Sequence, residues 1–361
     1  MKKINFWKNK KVLVTGHTGF KGGWLSLWLY ILGAKIAGYA LNPKTKKNFF
    51  NILNLKKIFT TDVRKNIQSI SEIKKLIKKF KPEIIFHLAA QPQVLESYLN
   101  PLDTIKTNVI GTANILEISK KFNFIKAIVI ITTDKVYRNF NKKIRFAEEF
   151  PLGGEDIYSS SKASADLISQ SYIKSFFKKK HCNIGIARAG NCIGGGDWTK
   201  FRILTDSSNS FLSNKKLYLR NPKSIRPWQH VFEPLNGYML LAEKLYKKKG
   251  KLFTESWNFG PREKKHITVK QFAENYRKAL SSSSKIEVKK SKEKKEKTYL
   301  DLDSQKAIKR LKWKPLLNIE KTIKLTADWY LAYKKKKNLM SFSINQLKEF
   351  MLIKSKKNND L

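Results

Sequence analysis

The sequence predicts an α/β fold built on a parallel sheet, and two observations indicate it. Short, β-rich apolar segments recur along the first half of the chain: KKVLVTG, AKIAGYAL, PEIIFHLAA, KAIVIITT and NIGIARAG. Longer amphipathic stretches such as SEIKKLIKKF lie between them. Strands that are buried on both faces and joined by helical crossovers belong to a parallel sheet covered by helices. The 361 residues, 41% of them hydrophobic, suffice for one large domain or two smaller ones.

The first strand leads into a glycine-rich turn and a helix. The segment reads VLVTGHTGFKGGWLSLWLYILG and carries Gly16, Gly19 and Gly22. Residues without Cβ at such a turn let the backbone approach a pyrophosphate at the helix N-terminus. The order of strand, turn, helix and second strand therefore predicts a Rossmann-type, doubly wound sheet. We expect a dinucleotide to bind at this loop, with Thr18 and Phe20 among its contacts; a tight turn without a ligand is the alternative.

The second strand ends GYALNPKT, and this ending leaves the phosphate preference of the cofactor open. A standard NAD site has an acid about 20 residues beyond the glycine turn, where it bonds the ribose hydroxyls. This segment holds no acid, and it holds no arginine for the 2′-phosphate of NADP. Asn42 and Thr45 are the side chains that can bond the ribose.

A tyrosine and a lysine stand four residues apart in the stretch YSSSKASAD. On a helix this spacing puts Tyr158 and Lys162 on one face. A tyrosine near its ordinary pKa of about 10 is a poor base at neutral pH, and a neighbouring cation lowers that pKa. The phenolate can then take the proton of a sugar hydroxyl, while the carbon that bears this hydroxyl gives a hydride to NAD⁺. The spacing often occurs by chance, but after a glycine turn and five predicted strands we favour the catalytic interpretation.

The net charge of +46 makes a nucleic-acid-binding protein the alternative from another class. That class is expected to cluster arginines and to expose aromatic side chains in one stripe. The lysines are instead scattered, in NPKTKKN, FFKKKH, KKSKEKKEK and YKKKKN, and they greatly outnumber the arginines. A general bias toward lysine is therefore favoured, and nucleic acid is not an expected partner.

The cysteines and the apolar runs bear on location. Cys182 and Cys192 are too few for a disulfide scaffold and lack the spacing of metal ligands, so no metal is predicted and a reducing cytoplasm is expected. No apolar run approaches the roughly 20 residues of a membrane span, and the basic beginning leads straight into a strand rather than a signal peptide.

Several blocks, in order along the chain, resemble those of the extended short-chain dehydrogenase/reductases that act on nucleotide sugars. They are most similar to the CDP-glucose 4,6-dehydratase family. The glycine loop and the Tyr/Lys pair are shared across the superfamily, whereas GGGDW and RPWQHV are more specific. The other matching blocks are HLAAQP, TTDKVY, PLGGEDIYSSSK and WNFGP, and the match extends to residue 330. The resemblance implies NAD as cofactor and CDP-glucose as substrate, with a product that supplies deoxysugars to surface polysaccharides such as the lipopolysaccharide O-antigen.

The hexapeptide TTDKVY, residues 132–137, follows a predicted strand and holds an acid beside a base. A dehydratase oxidises C4, removes the C5 proton and releases the C6 hydroxyl as water, so it needs one acid and one base more than an epimerase. We assign these roles to Asp134 and Lys135, at the strand end where α/β sheets bind ligands. The resemblance implies that Thr133 bonds the C4 oxygen. The dTDP-glucose relatives carry Glu in place of Lys135; a capped turn is the alternative.

The resemblance also implies further contacts. Those expected to touch the cofactor are Asp62, Val63, Leu88, Ala89, Ala90 and Asn108, with Asn108 opening a helix. Those expected to touch the substrate are Gln91, Asn191, Gly195, Asp197, Trp198, Leu219, Arg220, Arg226 and His230. Arg226 is the expected diphosphate contact, since arginine forks suit phosphate oxygens. Asp62 as a cap and His230 as a packing residue are alternatives, and Gln93 and Leu95 depart from the family pattern.

We expect residues 1–189 to form the cofactor domain and 190–335 mainly a smaller substrate-binding lobe, with some segments returning to the core. Residues 336–361 read as a basic tail with a helix, and the lysine-rich segment 281–297 as an exposed loop. By resemblance, helices near 100–122 and 158–178 would pair two chains into a homodimer or a dimer of dimers. The functional alternatives are a nucleotide-sugar 4-epimerase, a 4,6-dehydratase of dTDP-, GDP- or UDP-hexose, and a regulator with an inactive site; the intact Tyr/Lys pair argues against the regulator.

Overall fold

The computed structural model describes residues 5–140, 144–179, 181–261, 267–289 and 299–359. Its strands, in chain order, are β1 (Lys11–Thr15), β2 (Lys35–Ala40), β3 (Thr61–Arg64), β4 (Ile84–His87), β5 (Ala127–Ile131), β6 (Asn183–Ala189), β7 (Cys192–Ile193), β8 (Leu217–Leu219), β9 (Gln229–His230), β10 (Ser256–Phe259) and β11 (Ile286–Val288). Its helices are α1 (Phe20–Ile31), α2 (Phe49–Ile52), α3 (Ile70–Phe80), α4 (Val94–Leu99), α5 (Pro101–Ile105), α6 (Gly111–Ser119), α7 (Ile157–Tyr172), α8 (Ile203–Leu212), α9 (Phe232–Tyr246), α10 (Val269–Ala279), α11 (Ile319–Lys334) and α12 (Leu339–Asn359).

Seven strands form one parallel sheet in the order β10-β6-β5-β4-β1-β2-β3. The chain runs outward from β1 in one direction and then crosses back to β4, so the order reverses between these two strands. This is the doubly wound arrangement, and it confirms the predicted α/β fold class. Ligands bind in such sheets beyond the carboxyl ends of the strands, next to the reversal.

Both faces of the sheet are buried. Successive side chains of a strand point to opposite sides, so each strand contributes to the apolar clusters on both faces. Val12 and Val14 of β1 lie in one apolar cluster with Trp24 of α1, whereas Leu13 lies in the other with Ile77 of α3. Helices therefore cover the sheet on each side. The strands read as continuous apolar runs for this reason, which is why five of them could be predicted from the sequence.

Three features of the fold go beyond that prediction. Strands β3 and β10 complete the two edges of the sheet. Strand β11 lies in the segment expected to be a loop and pairs with β8, while residues 290–298 of that segment lie outside the described residues. Helix α12 packs Leu347 and Phe350 into the core, and the Phe350 ring contacts Trp28 at 5.6 Å. None of the described helices is both long enough and apolar enough to cross a membrane.

Candidate active site

The glycine turn after β1 forms a backbone cradle. Gly16 has a φ of +72°, and a Cβ there would lie 2.7 Å from the backbone nitrogen of Ala89. A Cβ on Gly22 would lie 2.2 Å from the carbonyl oxygen of Gly16. Gly19 is the N-cap of α1 and leaves the first turn without a side-chain cap. Free amide groups at a helix N-terminus, approached without steric hindrance, fit the pyrophosphate of a dinucleotide.

A cavity of about 350 Å³ lies at the carboxyl ends of β2 and β3, and its lining includes Asn42, Asp62 and Arg64. Asp62 accepts hydrogen bonds from His17 Nε2 at 2.9 Å and from the guanidinium of Arg64 at 2.7 Å. Although burial opposes ionisation, these two neighbours lower the pKa of the Asp62 carboxyl. The sequence around the end of β2 shows no arginine, but the fold brings Arg64 to this cavity from the neighbouring strand.

Tyr158 and Lys162 lie on one buried face of α7, at the end of β5. The helix begins at Asp156, whose carboxylate accepts a hydrogen bond from the backbone N–H of Ser159 at 2.9 Å. The Lys162 ammonium donates to the carbonyl oxygen of Ile131, the last residue of β5, at 2.7 Å. Two predicted catalytic side chains are thus held at the sheet edge where ligands bind.

The pKa values of this pair differ from the simple expectation of a cation next to a phenol. Burial raises the pKa of Tyr158, and the hydroxyl of Thr133 and the charge of Lys21 counter this only in part. Burial also lowers the pKa of Lys162 to about 8. The expected lowering of the tyrosine pKa is therefore absent in the chain by itself, because burial outweighs the neighbouring cations.

The hexapeptide forms a single 3₁₀ turn, Asp134–Val136, directly after β5. Thr133 caps the turn and donates from its hydroxyl to Asp134 Oδ1 at 2.9 Å. The other carboxyl oxygen of Asp134 is buried and has no hydrogen-bond partner among the described residues. Burial raises the pKa of the Asp134 carboxyl even though Lys135 next to it acts in the opposite direction. A buried carboxyl with a raised pKa can hold a proton and donate it.

A buried network anchors this turn. The guanidinium of Arg188, on β6, makes two hydrogen bonds of 2.8 and 2.9 Å to the carboxylate of Asp166 on α7. Arg188 also donates to the hydroxyl of Tyr137, the last residue of the hexapeptide, at 2.8 Å. The Tyr137 hydroxyl in turn donates to Asn258 of β10 at 2.7 Å. The hexapeptide is therefore fixed relative to the helix that carries the Tyr/Lys pair.

Asn108 holds the segment after β4 in place. Its side chain accepts from the backbone N–H of Gln91 at 2.8 Å and donates to Ser161 Oγ at 2.8 Å. The expectation that Asn108 opens a helix was wrong, because it lies in a π-helical turn, Lys106–Ile110, between α5 and α6. Such insertions are frequent at functional sites, and here the turn carries the amide that bonds Gln91.

Several cationic residues lie near Tyr158 and Asp134, and two of them were not identified from the sequence. Arg202, the N-cap of α8, pairs with Asp197 at 2.7 Å and lies close enough to Tyr158 to lower its pKa. Lys21 lies in the otherwise apolar first turn of α1. A single charge among apolar residues is the sequence feature that could have identified it as a site residue. Burial would lower the pKa of the Lys21 ammonium, but the neighbouring Cys192 and Tyr238 raise it overall.

The remaining predicted substrate residues divide between the cleft and the packed lobe. Arg226 lies close enough to Asp134 to act electrostatically on its carboxyl. A Cβ on Gly195 would lie only 2.0 Å from Trp329, so this glycine packs against α11. Leu219 and His230 are buried within β8 and β9, and burial lowers the pKa of His230 to about 3. Gln93, at the departure from the family pattern, donates from its amide to the carbonyl oxygen of Lys200 at 3.2 Å.

A doubly wound sheet with a glycine cradle and a Tyr/Lys pair at its carboxyl edge defines an extended short-chain dehydrogenase/reductase. A sequence model described as "GDP-mannose 4,6 dehydratase" matches residues 13–326, and the chain belongs to this family. A relative named CDP-glucose 4,6-dehydratase, from Salmonella typhimurium, is 41% identical over 352 residues, which cover 96% of this chain and 98% of the relative.

Solved structures agree on the fold. The dTDP-glucose 4,6-dehydratase of Bacillus anthracis, solved in complex with NAD, is 26% identical and superposes with a TM-score of 0.76, covering 92% of this chain and 99% of that one. The UDP-glucose 4-epimerase of Thermotoga maritima, solved with UDP-glucose, superposes with a TM-score of 0.79 at 21% identity over 90% of this chain and 99% of that one. At 21% identity, the epimerase structure supports the assignment of the fold and nothing further.

Proposed function

We propose that the chain catalyses the NAD-dependent 4,6-dehydration of CDP-glucose to CDP-4-dehydro-6-deoxyglucose. One observation carries this proposal: a buried acid, Asp134, and a basic side chain, Lys135, stand directly beside the Tyr158–Lys162 pair. The nucleotide is assigned from the 41% identity to the Salmonella typhimurium enzyme. Since this cofactor and this substrate class occur in the cytoplasm, we propose a cytoplasmic location.

The first half of the reaction uses the Tyr/Lys face of α7. When bound, NAD supplies an acceptor that keeps the hydride of C4 and gives it back at C6. Tyr158 takes the proton of the C4 hydroxyl, and the hydroxyl of Thr133, which lies beside Tyr158, bonds the resulting carbonyl oxygen. Lys162 fixes the geometry from the next helical turn by its hydrogen bond to the end of β5. The proposed cofactor contacts are the glycine cradle, the segment after β4 that Asn108 holds in place, and the cavity at Asp62.

The second half uses the hexapeptide. Oxidation at C4 makes the neighbouring C5 proton acidic, and Lys135 removes it. Asp134 then protonates the departing C6 hydroxyl, which leaves as water. The burial that raises the pKa of Asp134 keeps its proton available for this step. Arg226 lies near Asp134 and Arg202 lies near Tyr158, and both supply positive charge for the diphosphate.

The experiment that tests this function compares nucleotide sugars. The purified protein with NAD⁺ is incubated separately with CDP-, dTDP-, GDP- and UDP-glucose, and the masses of the products are measured by mass spectrometry. We expect a product lighter by one water from CDP-glucose, and a loss of that product in Lys135→Ala. A hexose isomer of unchanged mass would establish an epimerase instead, and water loss from another nucleotide sugar alone would overturn the nucleotide assignment.

We also propose that the protein is a homodimer, or a dimer of dimers, paired through the helices of residues 94–119 and 157–177. Large apolar side chains project from these helices into solvent: Tyr98, Leu99, Leu102, Ile105, Ile110, Leu167 and Phe176. A concentration of exposed apolar residues on adjacent helices is typical of a protein–protein interface. The two helical segments also pack on each other within one chain, so a second copy would complete a four-helix bundle.

A further inference from the structure

A second cavity, of about 330 Å³, lies beside the start of α8. Its lining includes Lys47, Trp198, Lys200, Phe201 and Asp206. Arg202, one helical turn before Asp206, lies close enough to Tyr158 to interact with it electrostatically. The backbone N–H of Asp206 donates to the carbonyl oxygen of Arg202 at 2.9 Å, which fixes this separation of one turn. The cavity therefore lies within one helical turn of a residue that is near Tyr158.

Two aromatic residues give this cavity the character of a ligand site. Phe201 exposes 60% of its surface although its backbone lies in the left-handed region, with a φ of +64°. A bulky residue in that conformation is uncommon, and such strain concentrates at functional sites. Trp198 is 8% exposed, and its indole N–H has no hydrogen-bond partner among the described residues. An exposed aromatic ring and an unused buried donor suit a flat, polar ligand such as a nucleobase.

The charges in the cavity suit a nucleotide with one type of base. Lys47 stands 3.6 Å above the Trp198 ring and, with Lys200, adds positive charge suited to phosphates. Asp206 is the acid of the lining. Burial raises its pKa, and the cation of Arg220 nearby counters this rise by stabilising the carboxylate form that the proposal uses. An ionised carboxylate only accepts hydrogen bonds. Cytosine offers it an exocyclic amine, whereas uracil and thymine present a carbonyl oxygen at the same position.

We propose that this cavity receives the base of the substrate and that Asp206 selects cytosine by accepting a hydrogen bond from its exocyclic amine. The proposal rests on the proposed function for the identity of the substrate, and it assigns the nucleotide preference to one side chain. Phe201 provides the ring on which the base stacks. Stacking holds any base, so Asp206 alone discriminates among the pyrimidines.

Calorimetric binding of CDP and of UDP tests this proposal without catalysis. The wild-type protein is expected to bind CDP more tightly than UDP. Asp206→Asn keeps the size of the side chain but adds an amide donor for the uracil carbonyl, so the ratio of the two affinities is expected to fall roughly tenfold or more. Phe201→Ala is expected to weaken both nucleotides to a similar extent. The matched control is Asp328→Asn on α11, whose carboxylate pairs with Lys324 at the surface, and it should leave the ratio unchanged.

The outcomes separate this proposal from the proposed function. An unchanged ratio in a folded Asp206→Asn protein, or a wild type without preference for CDP, would overturn the role of Asp206. If Asp206→Asn does not fold, Asp206→Ser serves the same comparison. A wild type that prefers CDP through Asp206 but removes no water from CDP-glucose would leave the base site standing and refute the dehydratase.

Discussion

At the level of single residues, the proposed dehydration depends on how Asp134 is kept ready to donate a proton. Its carboxyl lies 2% exposed at the end of a buried strand, with one oxygen capped by Thr133 and the other without a partner among the described residues. The sequence TTDKVY predicted an acid next to a base. It gave no measure of burial, because burial depends on Gly190 and on segments distant along the chain.

Gly190→Ala should disturb Asp134 without disturbing the cofactor loop. A Cβ at residue 190 would lie 3.0 Å from Asp134 Oδ2, so the carboxyl or the backbone must shift by a few tenths of an ångström. Since small displacements of reacting groups are costly, we expect the rate of water loss to fall about tenfold or more. The rate is followed by mass spectrometry, with NAD⁺ affinity as the control. Full activity would indicate that the position of Asp134 does not matter.

Lys162 should make stability depend on pH. Burial lowers its pKa from 10.5 to about 8, so the folded chain releases this proton near pH 8 and the unfolded chain only near pH 10.5. Between pH 8 and pH 10.5 the unfolded chain binds more protons than the folded chain, so the stability of the fold rises with pH across this range. The destabilisation caused by burying the charged Lys162 is therefore complete below pH 8 and absent above pH 10.5.

The comparison with Lys162→Met isolates this effect. The free energy of unfolding of the variant minus that of the wild type should be about 3 kcal/mol larger at pH 7 than above pH 10.5. Urea unfolding at a series of pH values measures it. The exposed Lys321→Met, measured in parallel, is the control for the loss of a lysine. A difference for Lys162→Met that does not vary with pH would contradict the burial of its charge.

At the scale of elements, the Arg188–Asp166 pair joins β6 to α7 and supports the hexapeptide through Tyr137. Asp166→Asn leaves the buried guanidinium without its counter-charge, and we expect a loss of about 3–5 kcal/mol in the free energy of unfolding. The double variant Asp166→Leu, Arg188→Met should recover a large part of that loss.

The matched control for this pair is Asp328→Asn, which breaks the exposed Lys324–Asp328 pair of 3.0 Å on α11 and should cost no more than about 1 kcal/mol. Denaturant unfolding measures all three variants. If Asp166→Asn costs as little as Asp328→Asn, the buried pair does not hold these elements together.

Elements with strong patterns could be predicted, and those that depend on distant partners could not. β5 is apolar throughout, and β1 and β4 contain uninterrupted apolar runs, so their burial on both faces is visible in the sequence. β3 reads TDVR and is half-buried at the sheet edge, and it therefore lacks that pattern. The π-helical turn around Asn108 has no sequence signature, because it results from how α5 and α6 pack on α7. Arg202 was missed because the spacing DWTKFR resembles no motif.

At the scale of the whole molecule, the apolar side chains on α4 to α7 determine the expected assembly. Leu102 on α5 is 70% exposed. Leu102→Asp places a charge at the centre of the proposed interface, so we expect it to convert dimers to monomers in light scattering behind size exclusion. Leu352→Asp is the control, since Leu352 is 60% exposed on α12, a helix that packs on α1 and α11. A dimer that survives Leu102→Asp would place the contact elsewhere.

The fold class and the positions of its main strands along the chain could thus be predicted from local pattern, while the packing of the C-terminal helix could not. Helix α12 shows why: read alone, SINQLKEFML is a short basic helix, yet Leu347 is fully buried and Phe350 contacts the ring of Trp28 on α1. Contacts between such distant segments have no local signature. The net charge of +46 likewise gave no direct indication of the small-molecule cleft.

The most direct measurement of the central claim uses CDP-glucose carrying deuterium at C4, incubated with the protein and NAD⁺ in ordinary water. We predict a product lighter by one water that retains the deuterium, located at C6 by nuclear magnetic resonance. A hexose of unchanged mass, or a dehydrated product without the label at C6, would contradict the account.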